Sequence, residues 1–172
     1  MGHPLPLGPD HGGALAAFAQ RLRRAASATR LLAAWCAERG IGEGPIRIER
    51  HASPLADIPA AEVAALLDAE ATAEIRHRCV TLRRGAVALS DCDIWWLPAR
   101  LAPAMQAKLD ATDHPFGLVV ARLHPTRRML SETVLPPGGP HALEHRALLL
   151  TGDVAPRPFA LVRESYRRVL VD

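Results

Sequence analysis

The chain has 172 residues, 49% of them hydrophobic and 23% charged, with a formal net charge of +3. That is one domain's worth of sequence with enough apolar surface to bury a core unaided, and it excludes a mainly disordered chain. All basic side chains but Lys108 are arginine and aromatics are only 4%, so neither a strong overall field nor a stacking platform for single-stranded nucleic acid is expected.

Residues 1-13 read as a flexible tail rich in Pro, Gly and His, and 14-172 as a single domain. Leu15, Phe18, Leu22 and Ala25 keep helical spacing, and Leu31, Leu32 and Trp35 keep it again. Ser27 and Thr29 can cap a new start, so the spacing predicts two helices broken at Ser27-Ala28-Thr29, ending at Gly40 to Gly44. Residues 45-52 alternate apolar and polar, as a strand does, and 59-70 read as a short helix with Pro59 in its first turn. Ile75, Val80, Leu82, Val87 and Leu89 build two strands around a turn at Arg83-Arg84-Gly85. Trp95 and Trp96 then point to opposite faces. Pro103 can start a helix over 102-111, His114 to Gly117 form a turn, and LVVARL is a strand or a short helix. Strands are expected over 126-135, 143-151 and 158-170, the last alternating. Early helices and late hairpins predict an α+β fold, with an antiparallel sheet and helices to one side.

Cys36, Cys79 and Cys92 are odd in number and form no CxxC pair. This argues against a disulfide framework and a thiolate zinc site, and for a reducing, cytoplasmic setting. The N-terminus lacks the pattern of a signal peptide, and no apolar run reaches the roughly 18 residues of a membrane span. No dinucleotide, phosphate-loop, zinc-protease or serine-hydrolase motif is present, and Ser90, Asp91 and His114 lack the spacing of a triad. His77 and His145 lie in predicted strands and could meet as a metal pair, but surface or hydrogen-bonded histidines are the simpler reading. Cys79 beside Arg78 reads as a small buried hydrophobe before it reads as an activated thiol.

Seven segments in order resemble the chorismate lyase family, whose fold is shared with the UTRA effector-binding domains of GntR-type regulators. They are Ser27-Ala28-Thr29-Arg30, Arg78 ahead of the Gly85 turn, Trp96-Leu97-Pro98, His114-Pro115-Phe116-Gly117, Pro125-Thr126-Arg127-Arg128, Leu143-Glu144-His145-Arg146 and Leu161-Val162-Arg163-Glu164. The resemblance covers roughly residues 27-170. Ala28, His114, Phe116 and the bulky Asp91 to Trp96 stretch depart from the family pattern.

The resemblance implies a chorismate lyase-like sheet of about six antiparallel strands, with helices over a buried ligand site. It implies elimination of pyruvate from chorismate, or from a related carboxylate, to leave 4-hydroxybenzoate. No cofactor and no metal are needed. Arg78 would hold the ring carboxylate bidentately. Glu164 would sit at the other end, at the ether oxygen. Ala28 and Phe116 would line the ring site, and Arg127 or Arg146 would contact the pyruvyl carboxylate. The alternative is a non-catalytic module of the same fold that binds a small aromatic acid. Either way the expected partner is a small carboxylate, with no nucleic acid and no membrane, and the protein a monomer or weak dimer. Each residue also has a plain reading: Arg78 on a solvated arginine-rich face, Glu164 in a surface ion pair.

Overall fold

Ser27 interrupts a run of helix-forming residues, and its extended backbone (φ −136°, ψ 115°) lets its hydroxyl accept from the Arg30 amide at 3.3 Å. In the computed structural model, which describes residues 11–52, 54 and 57–172, this cap separates α1 (His11–Arg24) from α2 (Ala28–Arg39). The break is where the sequence predicts it. Residues 1-10 of the expected tail lie outside the described residues, and His11 to Gly13 form the first turn of α1. Gly40, left-handed at φ 66°, ends α2.

There follow β1 (Ile46–His51), α3 (Ala60–Leu66), β2 (Arg76–Arg84), β3 (Val87–Trp96), α4 (Pro103–Ala111), α5 (Phe116–Val119), β4 (Thr126–Val134), β5 (His141–Leu150) and β6 (Pro158–Arg167). Gly85, at φ 57°, supplies the positive φ that closes the β2–β3 hairpin. The LVVARL stretch is helical: α5 runs into a 3₁₀ turn over Val120–Leu123. The six strands form one antiparallel sheet in the order β1-β2-β3-β6-β5-β4. The expected α+β fold with a single six-stranded antiparallel sheet is therefore present.

Two sequence expectations change in detail. The helices do not all lie to one side. The main core buries Phe18, Leu22, Leu32, Trp35, Leu109 and Phe116 of α1, α2, α4 and α5 on one sheet face, while Val63 and Leu67 of the α3 region pack with Trp95, Leu148 and Leu161 on the other. Nor is β6 half-exposed. Phe159 to Val162 are all buried, because a central strand covered on both faces gains from apolar residues at every position. The tryptophans divide as their parity predicts. Trp96 joins the main core, 5.5 Å from Phe116, and Trp95 lies under α3, stacked on His77 at 4.8 Å.

Candidate functional site

Between the helices and the main-core face of the sheet lies a cavity of about 370 Å³, within the range of about 300–1,000 Å³ usual for small-molecule pockets. Its floor is the apolar face of the strands: Ile48, Val80, Leu82, Ile94, Leu149 and Val162. Its rim is the Ala26 to Arg30 segment at the start of α2, with Phe116, Gly117 and Val120 opposite. A side chain at Gly117 would place its Cβ 3.4 Å from Thr29 Oγ1. That is ordinary contact distance, so α5 packs directly on the start of α2.

Two charged groups reach this apolar chamber from the strands. Glu164 of β6 lines it and is 3% exposed. Its carboxylate accepts from the Ser90 hydroxyl at 2.8 Å and the Tyr166 hydroxyl at 3.0 Å. Burial, reinforced by the Glu164 charge, pushes the Tyr166 phenol well above its ordinary range, so it stays a donor. Arg127 of β4 also lines the cavity. All three of its guanidinium nitrogens are shut off from solvent; the Tyr166 hydroxyl lies near enough to interact with one of them, and none makes a well-aligned hydrogen bond to the protein. Burial pulls the guanidinium pKa down, but Tyr166 and Glu164 nearby outweigh it and raise it above the ordinary arginine value. Arg127 is therefore a fixed cation with unspent donors, an arrangement costly to bury unless something accepts from it.

The thiol of Cys92 also lines the cavity. Burial and then the Glu164 charge push it well above its usual range, so it is a protonated, inert group. Behind Arg127, His145 is wholly buried. Its Nε2 meets Glu132 at 2.9 Å, and its Nδ1 is buried without a partner.

Of the six site residues expected from the sequence, Glu164, Arg127, Ala28 and Phe116 meet in this cavity, while Arg78 and Arg146 are not part of its wall. Arg78 points to the same sheet face but donates to the backbone carbonyls of His114 at 2.9 Å and Leu109 at 3.4 Å. It staples the end of α4 to the sheet. Burial, then the charge of Arg50, lowers its pKa to about 10. The charged strand residues in the cavity wall are thus Arg127 and Glu164, where Arg78 and Glu164 were expected. Arg146 lies on the opposite face, where its Nη2 donates to Glu62 of α3 at 2.7 Å. Its neighbour His145 takes the cavity side, and adjacent strand residues face opposite ways. The same parity separates His77 and His145. His77 meets Asp93 at 2.8 Å on the α3 face, so the two imidazoles form no metal pair. Ser90, Asp91 and His114 form no triad, since Ser90 serves Glu164 and Asp91 faces the other way, toward Thr81 and His141.

Sequence reasoning missed Tyr166 and Ser90, the two donors that hold Glu164. The signal was available for Tyr166, which lies two residues beyond Glu164 and so shares its face. Ser90 pairs with Tyr166 across β3 and β6, a register that only the folded sheet reveals.

No family model matches the chain. The uncharacterised protein y4mC of Sinorhizobium fredii is 33% identical to it, across 86% of this chain and 70% of that protein. Among solved structures, PhnF from Mycobacterium smegmatis is similar over 85% of this chain and 65% of its own, at 13% identity and a TM-score of 0.52. The ligand-binding domain of a Bordetella bronchiseptica protein assigned to the GntR family of transcriptional regulators is 17% identical, over 72% of this chain and 83% of its own, at a TM-score of 0.48. At such identities the PhnF likeness is one of fold, and it agrees with the chorismate lyase-like sheet expected from the sequence. Among the described residues, no helix is long and apolar enough to cross a membrane.

Proposed function

We propose that this chain, which belongs to the family of the uncharacterised protein y4mC, is a binding module for a small organic anion with an apolar body. The observation that carries this is Arg127, a cation whose guanidinium is shut off from solvent, touched only by Tyr166 and without a well-aligned hydrogen bond, in the wall of a mostly apolar cavity. A carboxylate accepts from a planar guanidinium through two parallel bonds, which would offset the cost of burying it bare. Glu164 keeps acceptor capacity beyond its two hydroxyl donors, so it suits a ligand hydroxyl or amine at the far end. The aliphatic floor and Phe116 suit a ring between the two.

The test is calorimetric titration with benzoate, 4-hydroxybenzoate and inorganic phosphate. We expect the aromatic carboxylates to bind, Arg127→Met to abolish binding, and phosphate, which has no apolar body, to bind weakly. Binding unchanged in Arg127→Met would overturn the assignment.

A second reading is pyruvate elimination from a chorismate-like substrate. Glu164, buried in the cavity, favours it; the engagement of Arg78 with backbone carbonyls does not. Incubation with chorismate, followed by the absorbance of 4-hydroxybenzoate, decides it. Turnover by the wild type that is lost in Glu164→Gln supports the lyase reading, and absence of turnover ends it.

A further inference from the structure

We propose that α1 is a strap whose hold on the sheet answers to the charge in the cavity: an anion seated against Arg127 weakens the clasp between Arg23 and Glu132, through His145. The inference rests on the reading of the cavity as an anion site.

The clasp is bidentate. Arg23 of α1 donates to Glu132 of β4 through Nε at 3.0 Å and Nη2 at 2.6 Å. The same carboxylate meets His145 Nε2 at 2.9 Å. The His145 ring stands edge-on to Tyr166 at 5.5 Å, and the Tyr166 hydroxyl donates to Glu164 in the cavity wall at 3.0 Å. A second fastening leads to the same residue: Phe18 of α1 stands edge-on to Tyr166 at 5.3 Å. Just past the end of α1 the chain becomes the cavity rim, from Ala26 to Arg30. These two contacts of α1 with the sheet, and its exit, thus abut residues that line or back the cavity; its other contacts, Arg21 with Glu38 and Phe18 with Trp35, are with α2.

The charges around His145 set the direction of the coupling. Glu132 and Arg127 face it from β4, Arg23 from α1, and Tyr166 and Glu164 from β6. Burial, then the Arg127 cation, holds the imidazole below its ordinary pKa; Glu132 pulls the other way and Arg23 adds to the depression. An anion on Arg127 cancels one of these opposing charges, so His145 takes up a proton more readily. The imidazolium then shares Glu132 and repels Arg23, and the clasp loosens. Linkage makes this reciprocal: releasing Arg23 must favour the proton on His145, and with it the anion.

Arg23 is exposed and stands outside the cavity wall, so Arg23→Gln is a clean probe. We expect it to tighten benzoate binding about threefold at mildly acidic pH, below the ordinary imidazole range, and to leave it unchanged at pH 8. In protein without ligand, imidazole NMR should show His145 titrating at higher pH in both Arg23→Gln and Arg127→Gln. Added benzoate should speed amide exchange over residues 14–24 in the wild type about two- to threefold at pH 6. A His145 titration that stays put in Arg23→Gln overturns the coupling, even if Arg127→Gln fails to fold. A titration that moves, in protein that binds no aromatic carboxylate, overturns the anion site instead.

Discussion

Arg127 and Arg146 sit on neighbouring strands of one sheet, and one or the other was expected to meet a ligand carboxylate. They end on opposite faces. Arg146 takes the α3 face and an acidic partner, Glu62. Arg127 takes the cavity face, touched only by Tyr166 and without a well-aligned hydrogen bond. The contrast extends to the faces themselves. On the α3 face Asp91 and Glu144 are each held by more than one donor. Asp91 accepts from Thr81 at 2.5 Å, meets His141 at 2.6 Å, and takes two bonds from Arg167. Burial works against its charge, yet these donors outweigh it and keep its pKa below the ordinary value. That face spends its polar groups on itself and holds the sheet. The cavity face keeps donors in reserve, as a site for a polar ligand must.

The largest expected effect tests that contrast directly. If Arg127 is the anion-holding group, Arg127→Met weakens benzoate binding at least about a hundredfold, since truncating one partner of a desolvated charge pair costs about 2–5 kcal/mol. Arg146→Met leaves that affinity unchanged within about twofold, in keeping with an exposed ion pair that touches no ligand. Parallel calorimetric titrations of the two variants check this. Equal losses would erase the distinction between the faces.

Next in size is the Glu164 anchor. Glu164→Ala leaves the hydroxyls of Ser90 and Tyr166 without their acceptor in a buried site. A loss of about 2–3 kcal/mol in urea unfolding follows from stranding two buried donors. Glu164→Gln keeps an acceptor and should lose less than half as much. If the alanine variant proves as stable as the wild type, Glu164 does not organise that wall.

Most of the fold was legible in the sequence because its signals are local. Ser27 caps, Gly85 turns, and Pro103 starts α4. Each acts through its own backbone geometry, independent of tertiary context. The site was legible only in part, and the failures are of two physical kinds. One is parity across a register: a single residue's step separates His145, on the cavity side, from Arg146, on the other. The β4–β5 ladder also carries an irregularity between Met129 and Ser131, so counting residues along β4 does not give its facing. The other is competition from the backbone. Arg78 lies on the cavity face as expected, but the carbonyls of Leu109 and His114 reach its guanidinium. A periodic pattern places a side chain on a face and says nothing of which carbonyl a helix end will bring there. The buried alternation of β6 failed for a related reason, since only the folded sheet shows that α3 covers its second face.

The pH dependence of stability separates the faces a third way. His145, on the cavity face, has a depressed pKa, so the native state binds fewer protons than the unfolded chain below about pH 6.5. Stability is full above that value and falls with pH below it while only the unfolded chain takes the proton, by at most about 1.4 kcal/mol per pH unit, until the native ring is protonated too. Glu132 is also depressed, chiefly by the hydrogen bond from Arg23, and adds its loss only as pH falls below its ordinary carboxylate range. Asp91 does the same for the α3 face. Acid should therefore weaken the cavity face first. Thermal melts from pH 8 to pH 4 should show a first decline that sets in below about pH 6.5 and that His145→Gln removes, with the steeper fall in the carboxylate range retained. A wild-type profile with no decline ahead of the carboxylate range would show that His145 is not held neutral.

The smallest effect is the most pointed about the α3 face. Arg146 is paired with Glu62, and both side chains are partly exposed, at 29% and 46%. Such a pair contributes at most about 1 kcal/mol, because water screens it and two long side chains must be ordered to form it. Arg146→Met keeps the packing of the aliphatic stem while removing the charge. Its loss in urea unfolding should be under about 1 kcal/mol and should shrink further in high salt. Glu62→Gln should cost about the same, and the double variant little more than either alone, as two members of one interaction must. A larger loss that salt does not touch would mean that the guanidinium, whose Nε is buried without a partner, matters through its contacts beneath α3. Arg146 would then be a core residue that happens to carry a charge, and the paired arginines would differ in packing as well as in partners.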